Sequence, residues 1–225
     1  MKYFCLMMML TCILHSQSAE FRFDNGDDGF VRSVVNRSAF WLSDSPAMNP
    51  TTSNRVILQP GFSSSLTRLW GEYWTYPNLD IGIKVTRNLA VTGKLFGFST
   101  GKESPQILGA GFQYYFGGTD TLDWSTSIQR VDLKGLNHFR LTSLTLDIRK
   151  WISWKFIHFR LGMGSNFFKE VSYSGNHNAP AAMEGQINFI GVDALMRYTI
   201  VNIGAGTRIH PGWTMVTFFI QKELF

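Results

Sequence analysis

From residue 79 to the C-terminus, apolar and polar positions alternate with a period of two. Leu79, Ile81, Ile83 and Val85 share one parity, while Asp80, Gly82, Lys84 and Thr86 share the other. Leu122, Trp124, Thr126 and Ile128 alternate in the same way with Asp123, Ser125, Ser127 and Gln129. The pattern recurs in Ile157, Phe159, Leu161 and Met163, and again in Ile203, Ala205, Thr207 and Ile209. Successive side chains of a strand point to opposite faces, so these runs predict strands with one apolar and one polar face. Helical spacing fits none of them. The pattern places strands at 62–74, 79–86, 89–100, 106–116, 121–131, 137–149, 154–168, 186–199, 200–209 and 213–225. Most exceed the roughly five or six residues usual in soluble sheets and match the roughly nine to eleven that a tilted strand needs to cross a bilayer.

Connections between the runs fall into two alternating sets. Arg87-Asn88, Gly117-Gly118-Thr119-Asp120, Trp151-Ile152-Ser153 and Val201-Asn202 read as tight turns. Residues 75–78, 101–105, 132–136, 174–185 and 210–212 read as longer connections and hold Pro77, Pro105, Pro180 and Pro211, where no ladder N–H is needed. The apolar parity slips in two strands, after Leu141 and after Phe189, which predicts β-bulges near Thr142–Ser143 and Phe189–Ile190. Aromatic residues cluster beside the connections: Trp70, Tyr73 and Trp74; Tyr114 and Tyr115; Trp151 and Trp154; Trp213. Rings at strand ends predict girdles at a membrane interface.

Composition narrows the classes. Aromatics make up 15% of the 225 residues and charged residues only 16%, with 21 glycines. A disordered chain is poor in aromatics and rich in charge, and a helical membrane protein needs long apolar runs. At the N-terminus, Met1-Lys2 followed by the apolar stretch 3–14 and the small residues of Ser16-Gln17-Ser18-Ala19 read as a signal peptide, 1–18, cleaved after Ser18 or Ala19. Cys5 and Cys12 both lie inside it, so a mature chain has no disulfide, no thiolate metal site and no cysteine nucleophile. The net charge of +5 falls to +4 when Lys2 is removed, and it is dispersed, which argues against a nucleic-acid surface. Residues 19–60 break the alternation, with Asp24, Asp27 and Asp28 among glycines and then mixed periodicity from Phe30 to Leu42. This segment is read as a periplasmic or plugging unit ahead of a barrel at 61–225.

An export signal, about ten alternating strands, two sets of connections and a final Phe225 together resemble a bacterial outer-membrane β-barrel protein. The resemblance implies an all-β transmembrane antiparallel up-and-down barrel, with roughly eight to twelve strands, in the outer membrane of a Gram-negative cell. It implies short turns toward the periplasm, longer loops outside, the lipid bilayer as environment, and a C-terminal strand read by the barrel-assembly machinery. The chain departs from that pattern at Glu223 and Gln221, which occupy positions the terminal strand usually keeps apolar. Ser45-Pro46-Ala47-Met48-Asn49-Pro50 also resembles the segment after the N-terminal plug of long-chain fatty-acid transporter barrels, although this chain is much shorter.

With the apolar parity toward lipid, Asp80, Lys84, Asp123, Arg140, His158, Arg160, Asp193, Arg197 and Arg208 are expected to line the lumen. Charges of both signs in a narrow interior must pair, because an unpaired buried charge is very costly. These residues therefore imply either a salt-bridged closure or a small passive channel. The function read from the sequence is non-enzymatic: a channel or a structural and interaction barrel, porin-like in architecture, with no cofactor and no metal. Two alternatives stand beside it. His177, with Ser172, Ser174 and Glu184 nearby, resembles the site of outer-membrane lipid A deacylases, but Ala179 occupies that family's serine position. The other is a soluble secreted β-barrel that binds a partner, for which the 174–185 connection offers the longest surface.

Overall fold

The computed structural model describes residues 17–21, 23, 28–69, 71–101, 103–118, 121–173 and 181–225. The expected signal-peptide core, residues 24–27, Trp70, Thr119-Asp120 and loop residues 174–180 with His177 lie outside the described residues. A two-residue strand β1 (Gln17–Ser18) and a helix α1 (Asp28–Leu42) precede ten long strands. These are β2 (Val56–Ser65), β3 (Trp74–Lys84), β4 (Leu89–Gly97), β5 (Gln106–Phe116), β6 (Trp124–Lys134), β7 (Phe139–Trp154), β8 (Ile157–Ser172), β9 (Ala182–Tyr198), β10 (Val201–His210) and β11 (Trp213–Leu224). Each of the ten pairs antiparallel with its neighbours in sequence, and β11 returns to β2, so the sheet closes as an up-and-down barrel. The architecture expected from the alternation is the one observed.

The first two strands correct the sequence reading. The wall begins at Val56, not at 61, and residues 75–78 lie inside β3 rather than in a connection. Two strand prolines disguised this region. Pro60 sits where the β2–β11 ladder is interrupted, between the pairs Gly61–Phe219 and Leu58–Lys222. Pro77 lies where β3 pairs with β2 alone, because the β3–β4 ladder covers only 80–84. In both places a missing N–H costs little. Near the loop end of the β3–β4 seam, β1 fills part of the gap by pairing parallel with Trp74 and Thr75.

Neither expected bulge forms. The β7–β8 register runs unbroken from Phe139–Ser172 to Trp154–Ile157, and the β8–β9 register from Val171–Ala182 to Ile157–Met196. What changes along these strands is the chemistry of the interior. In β7, Phe139, Leu141, Ser143, Thr145, Asp147, Arg149 and Trp151 all face inward, while Leu144, Leu146, Ile148 and Ile152 face outward. In β9, Met183, Ile187, Phe189, Asp193 and Leu195 face inward. The loop half of the barrel has an apolar core and the turn half a charged one, so apolar residues exchange faces without any change of register.

The outer surface is layered in the complementary sense. Leu95, Leu108, Phe112, Ile128, Leu146, Ile148, Met163, Ile190 and Ile220 form a belt of exposed apolar side chains. Above it, β9 continues from Ile190 to Ala182 paired only with β8, and there the outward positions are Glu184, Gln186 and Asn188. The β7–β9 wall therefore rises past the belt on the loop side.

Candidate functional site

Among the described residues, Ala19, Phe21, Phe23 and 28–50 occupy the lumen. Ala19 donates its amide to the Thr75 carbonyl at 3.2 Å and accepts from Thr100 Oγ1 at 2.9 Å, which fixes it at the loop end. Phe21 and Phe23 are buried beside it, and Phe23 stacks on Phe139 with ring centroids 4.8 Å apart. Helix α1 then packs against β7, β8 and β9. Phe30, Val31, Val34, Val35, Phe40, Trp41 and Leu42 are all buried, and Gly29, Arg32, Ser33 and Asn36 form a partly exposed stripe along its first half. From Arg37 onward every helical residue is buried, so the polar stripe ends part way along and the periodicity is mixed. Trp41 stacks on Tyr76 at 4.8 Å and donates Nε1–H to Asn78 Oδ1 at 2.7 Å.

After α1 the chain runs extended toward the turn end, and its carbonyls need partners away from water. The wall supplies them. Asn166 donates to the Ala39 carbonyl, and Arg208 Nη1 donates to that of Phe40 at 2.6 Å. Gln129 donates to Leu42 at 3.3 Å and to Asp44 at 2.9 Å. Arg160 forks onto the Ser45 and Pro46 carbonyls, both at 2.9 Å, and Gln113 adds a second bond to Pro46 at 2.8 Å. Gln221 reaches Ala47 at 2.7 Å, and Lys84 Nζ donates to Pro50 at 2.7 Å and Thr52 at 2.8 Å. A glycine gives the plug its closest approach to the wall: a Cβ at Gly82 would collide with the Met48 sulfur.

Around this strand lies a connected set of buried charges. Asp193 Oδ2 accepts from Arg149 Nη1 and Arg160 Nε, each at 2.7 Å. Asp147 accepts from Arg149 Nε at 3.2 Å, Ser127 Oγ at 2.6 Å and Ser45 Oγ at 3.1 Å. Lys94 pairs with Asp80, and Arg208 Nε lies 3.7 Å from Asp44 Oδ1. Asp44 belongs to the plug. Burial pushes its carboxyl up, but Arg208, Lys94, Arg160 and Arg149 together pull it down further and hold it below the usual carboxylate range.

Of the residues expected to line the lumen, Asp80, Lys84, Arg160, Asp193 and Arg208 are buried against the plug or in the charged cluster. His158 lies half-buried at the turn end, its ring nitrogen 3.0 Å from Ser153 Oγ, and Arg197 is exposed at the turn-side rim. Two do not line it. Arg140 is exposed on the outer face, because it shares parity with Leu144 and no bulge intervenes. Asp123 precedes β6 in a turn and faces Lys150 at 3.7 Å, both side chains partly exposed. The sequence reading missed Lys94, Asp147, Arg149, Asn166 and the glutamines. The parity opposite Leu144, Leu146 and Ile148 pointed to Asp147 and Arg149, and the assumed bulge hid it.

The aromatic girdle divides as well. Tyr73, Tyr114 and Trp154 are exposed on the outer surface. Trp74, Tyr115 and Trp151 are buried and face inward, the last beneath the Arg160 guanidinium, and Trp213 packs at the loop end 4.5 Å from the His210 ring. Proximity to a turn does not decide which face a ring occupies; strand parity does.

No protein-family model matches the chain, and no curated protein sequence matches it either. Among solved structures, the fold is similar to the translocator domain of autotransporter NalP from Neisseria meningitidis, at 10% identity over 88% of this chain and 97% of that one, with a TM-score of 0.47. A bacterial polysaccharide outer membrane secretin matches at 9% identity over 77% of each chain, with a TM-score of 0.42. The CymD monoaromatic hydrocarbon channel matches at 8% identity over 92% of this chain and 95% of that one, with a TM-score of 0.26. Identities and scores of this size carry no argument about role. The closed up-and-down sheet of ten long strands and the exposed apolar belt around it define the architecture, which is that of a bacterial outer-membrane β-barrel.

Proposed function

We propose that this protein resides in the outer membrane of a Gram-negative cell as a self-plugged barrel with a structural or interaction role and no standing pore. The observation that carries this reading is the bonding of the plug carbonyls from Ala39 to Thr52 by Asn166, Arg208, Gln129, Arg160, Gln113, Gln221 and Lys84. Donors from strands all around the wall converge on one backbone, and each would have to exchange its plug carbonyl for water if the segment withdrew. The reading includes no catalytic step: Asp44, Asp80, Asp147 and Asp193 lie against Arg208, Lys94, Arg149 and Arg160 around the plug. It leaves the work to the outer surface: lipid against the belt, the raised β7–β9 wall and loops toward the exterior, and β11 toward the assembly machinery. The N-terminal segment read as a signal peptide, 1–18, supplies the export route, and its cleavage after Ser18 or Ala19 would remove β1 from the mature barrel.

Planar-bilayer recording of the folded full-length protein tests the reading. We expect no steady conductance from the unmodified chain. In Arg160→Ala, which removes three hydrogen bonds and a buried positive charge, we expect intermittent openings. A steady conductance in the unmodified protein would overturn the proposal in favour of a passive channel.

A further inference from the structure

At the turn end, where the plug leaves the lumen to become β2, a cavity of about 460 Å³ lies between 50–55 and the β3–β4 turn. Its charged lining is Arg55, Lys84 and Arg87, with hydroxyls from Thr51, Thr52, Ser53 and Thr86, and none of its lining residues is acidic. Lys84 is 8% exposed. Its ammonium rests on two backbone carbonyls and over the Tyr115 ring, with no carboxylate within ion-pair distance among the described residues. The Arg55 and Arg87 guanidiniums make no hydrogen bond or ion pair among the described residues. Glu223, the carboxylate that faces this end of the plug, is already held by Thr52 Oγ1, Asn54 Nδ2 and Asn202 Nδ2.

Thr51 and Thr52 already donate their hydroxyl protons to Asn49 and Glu223, so three cations and the Ser53 and Thr86 hydroxyls around this concavity form a receptor for a compact anion with several acceptor oxygens. We propose that this cavity binds a phosphate group. Its position fits two sources. Val85, 55% exposed, continues the apolar belt beside Lys84 and Thr86; on the outer-membrane reading proposed above, with the short turns toward the periplasm, the cavity opens at the level of the periplasmic leaflet's headgroups. It also opens toward the aqueous side, where free phosphate reaches it.

The test uses the folded full-length chain in a phosphate-free maltoside detergent at low ionic strength. Inorganic phosphate and monomeric short-chain phosphatidylglycerol are titrated separately by calorimetry. We expect saturable binding that weakens with added salt and falls at least about tenfold in Arg55→Gln/Arg87→Gln, in line with the loss of two charge-assisted contacts. Tighter binding of phosphate identifies a free anion, and tighter binding of the lipid identifies a headgroup. Absence of binding by both probes, or equal affinity in the unmodified and doubly substituted proteins, overturns the assignment. Heat-modifiable migration on a gel confirms that the variants fold, and Arg87→Gln alone replaces the double variant if that one fails.

Discussion

Asp193 accepts from two guanidiniums through one oxygen, with Arg149 and Arg160 buried on either side of it. Its carboxylate is what permits two cations to share a dry interior. Asp193→Ala leaves Arg160 with no carboxylate and Arg149 with Asp147 alone, and breaking a buried pair in this way costs about 3–5 kcal/mol. We expect a clear drop in the temperature at which the folded form converts to the slow-migrating unfolded form on a gel. Asp193→Asn keeps the shape and one acceptor, so its loss is expected to be smaller. An unchanged midpoint in the alanine variant would show that water or plug movement relieves the two arginines.

Asp44 is the plug's own carboxylate in the buried charged cluster. Its folded carboxyl lies below the ordinary range, so its contribution is complete above the unfolded value of about 4 and is lost as pH falls through the lower folded value. We expect the bilayer to stay silent at neutral and mildly acidic pH and conductance to appear only below a pH of about 4. Asp44→Asn should remove that pH step. This element also shows what the sequence could and could not disclose. Strand β10 and the first half of β6 were legible because Gly204, Gly206 and Arg208, or Ser125, Ser127 and Gln129, hold one parity. Strands β7 and β9 read as kinked because their interior turns from apolar to charged part way along. The plug was legible only as an interruption of the alternation. Its threaded path was not, because the carbonyls that fix it carry no side-chain signature.

The whole molecule has an apolar belt with a definable upper edge, lying on β9 between Ile190 and Asn188. A charge placed on the lipid face costs about 2–4 kcal/mol near the bilayer midplane and falls toward zero at the interface. Leu146→Arg should therefore destabilise the barrel in lipid vesicles by about that amount, read from urea unfolding followed by tryptophan fluorescence. Asn188→Arg, above the edge, should change it little. Equal effects at both positions would mean that the belt extends to the top of the wall.

The plug has its two ends at opposite mouths: Ala19 at Thr75 near the loops, and Arg55 donating to the Phe225 carbonyl at the turn side, 2.5 Å away. Its tethered end is thus on the same side as the short turns, and its leading end is on the far side. During biogenesis the segment can enter a closed barrel like a finger into a glove, amino end first, without parting any strand. A folded domain joined ahead of it could not follow through so narrow a passage, and would hold the finger out. An unstructured extension would be carried through with it and emerge on the side of the loops.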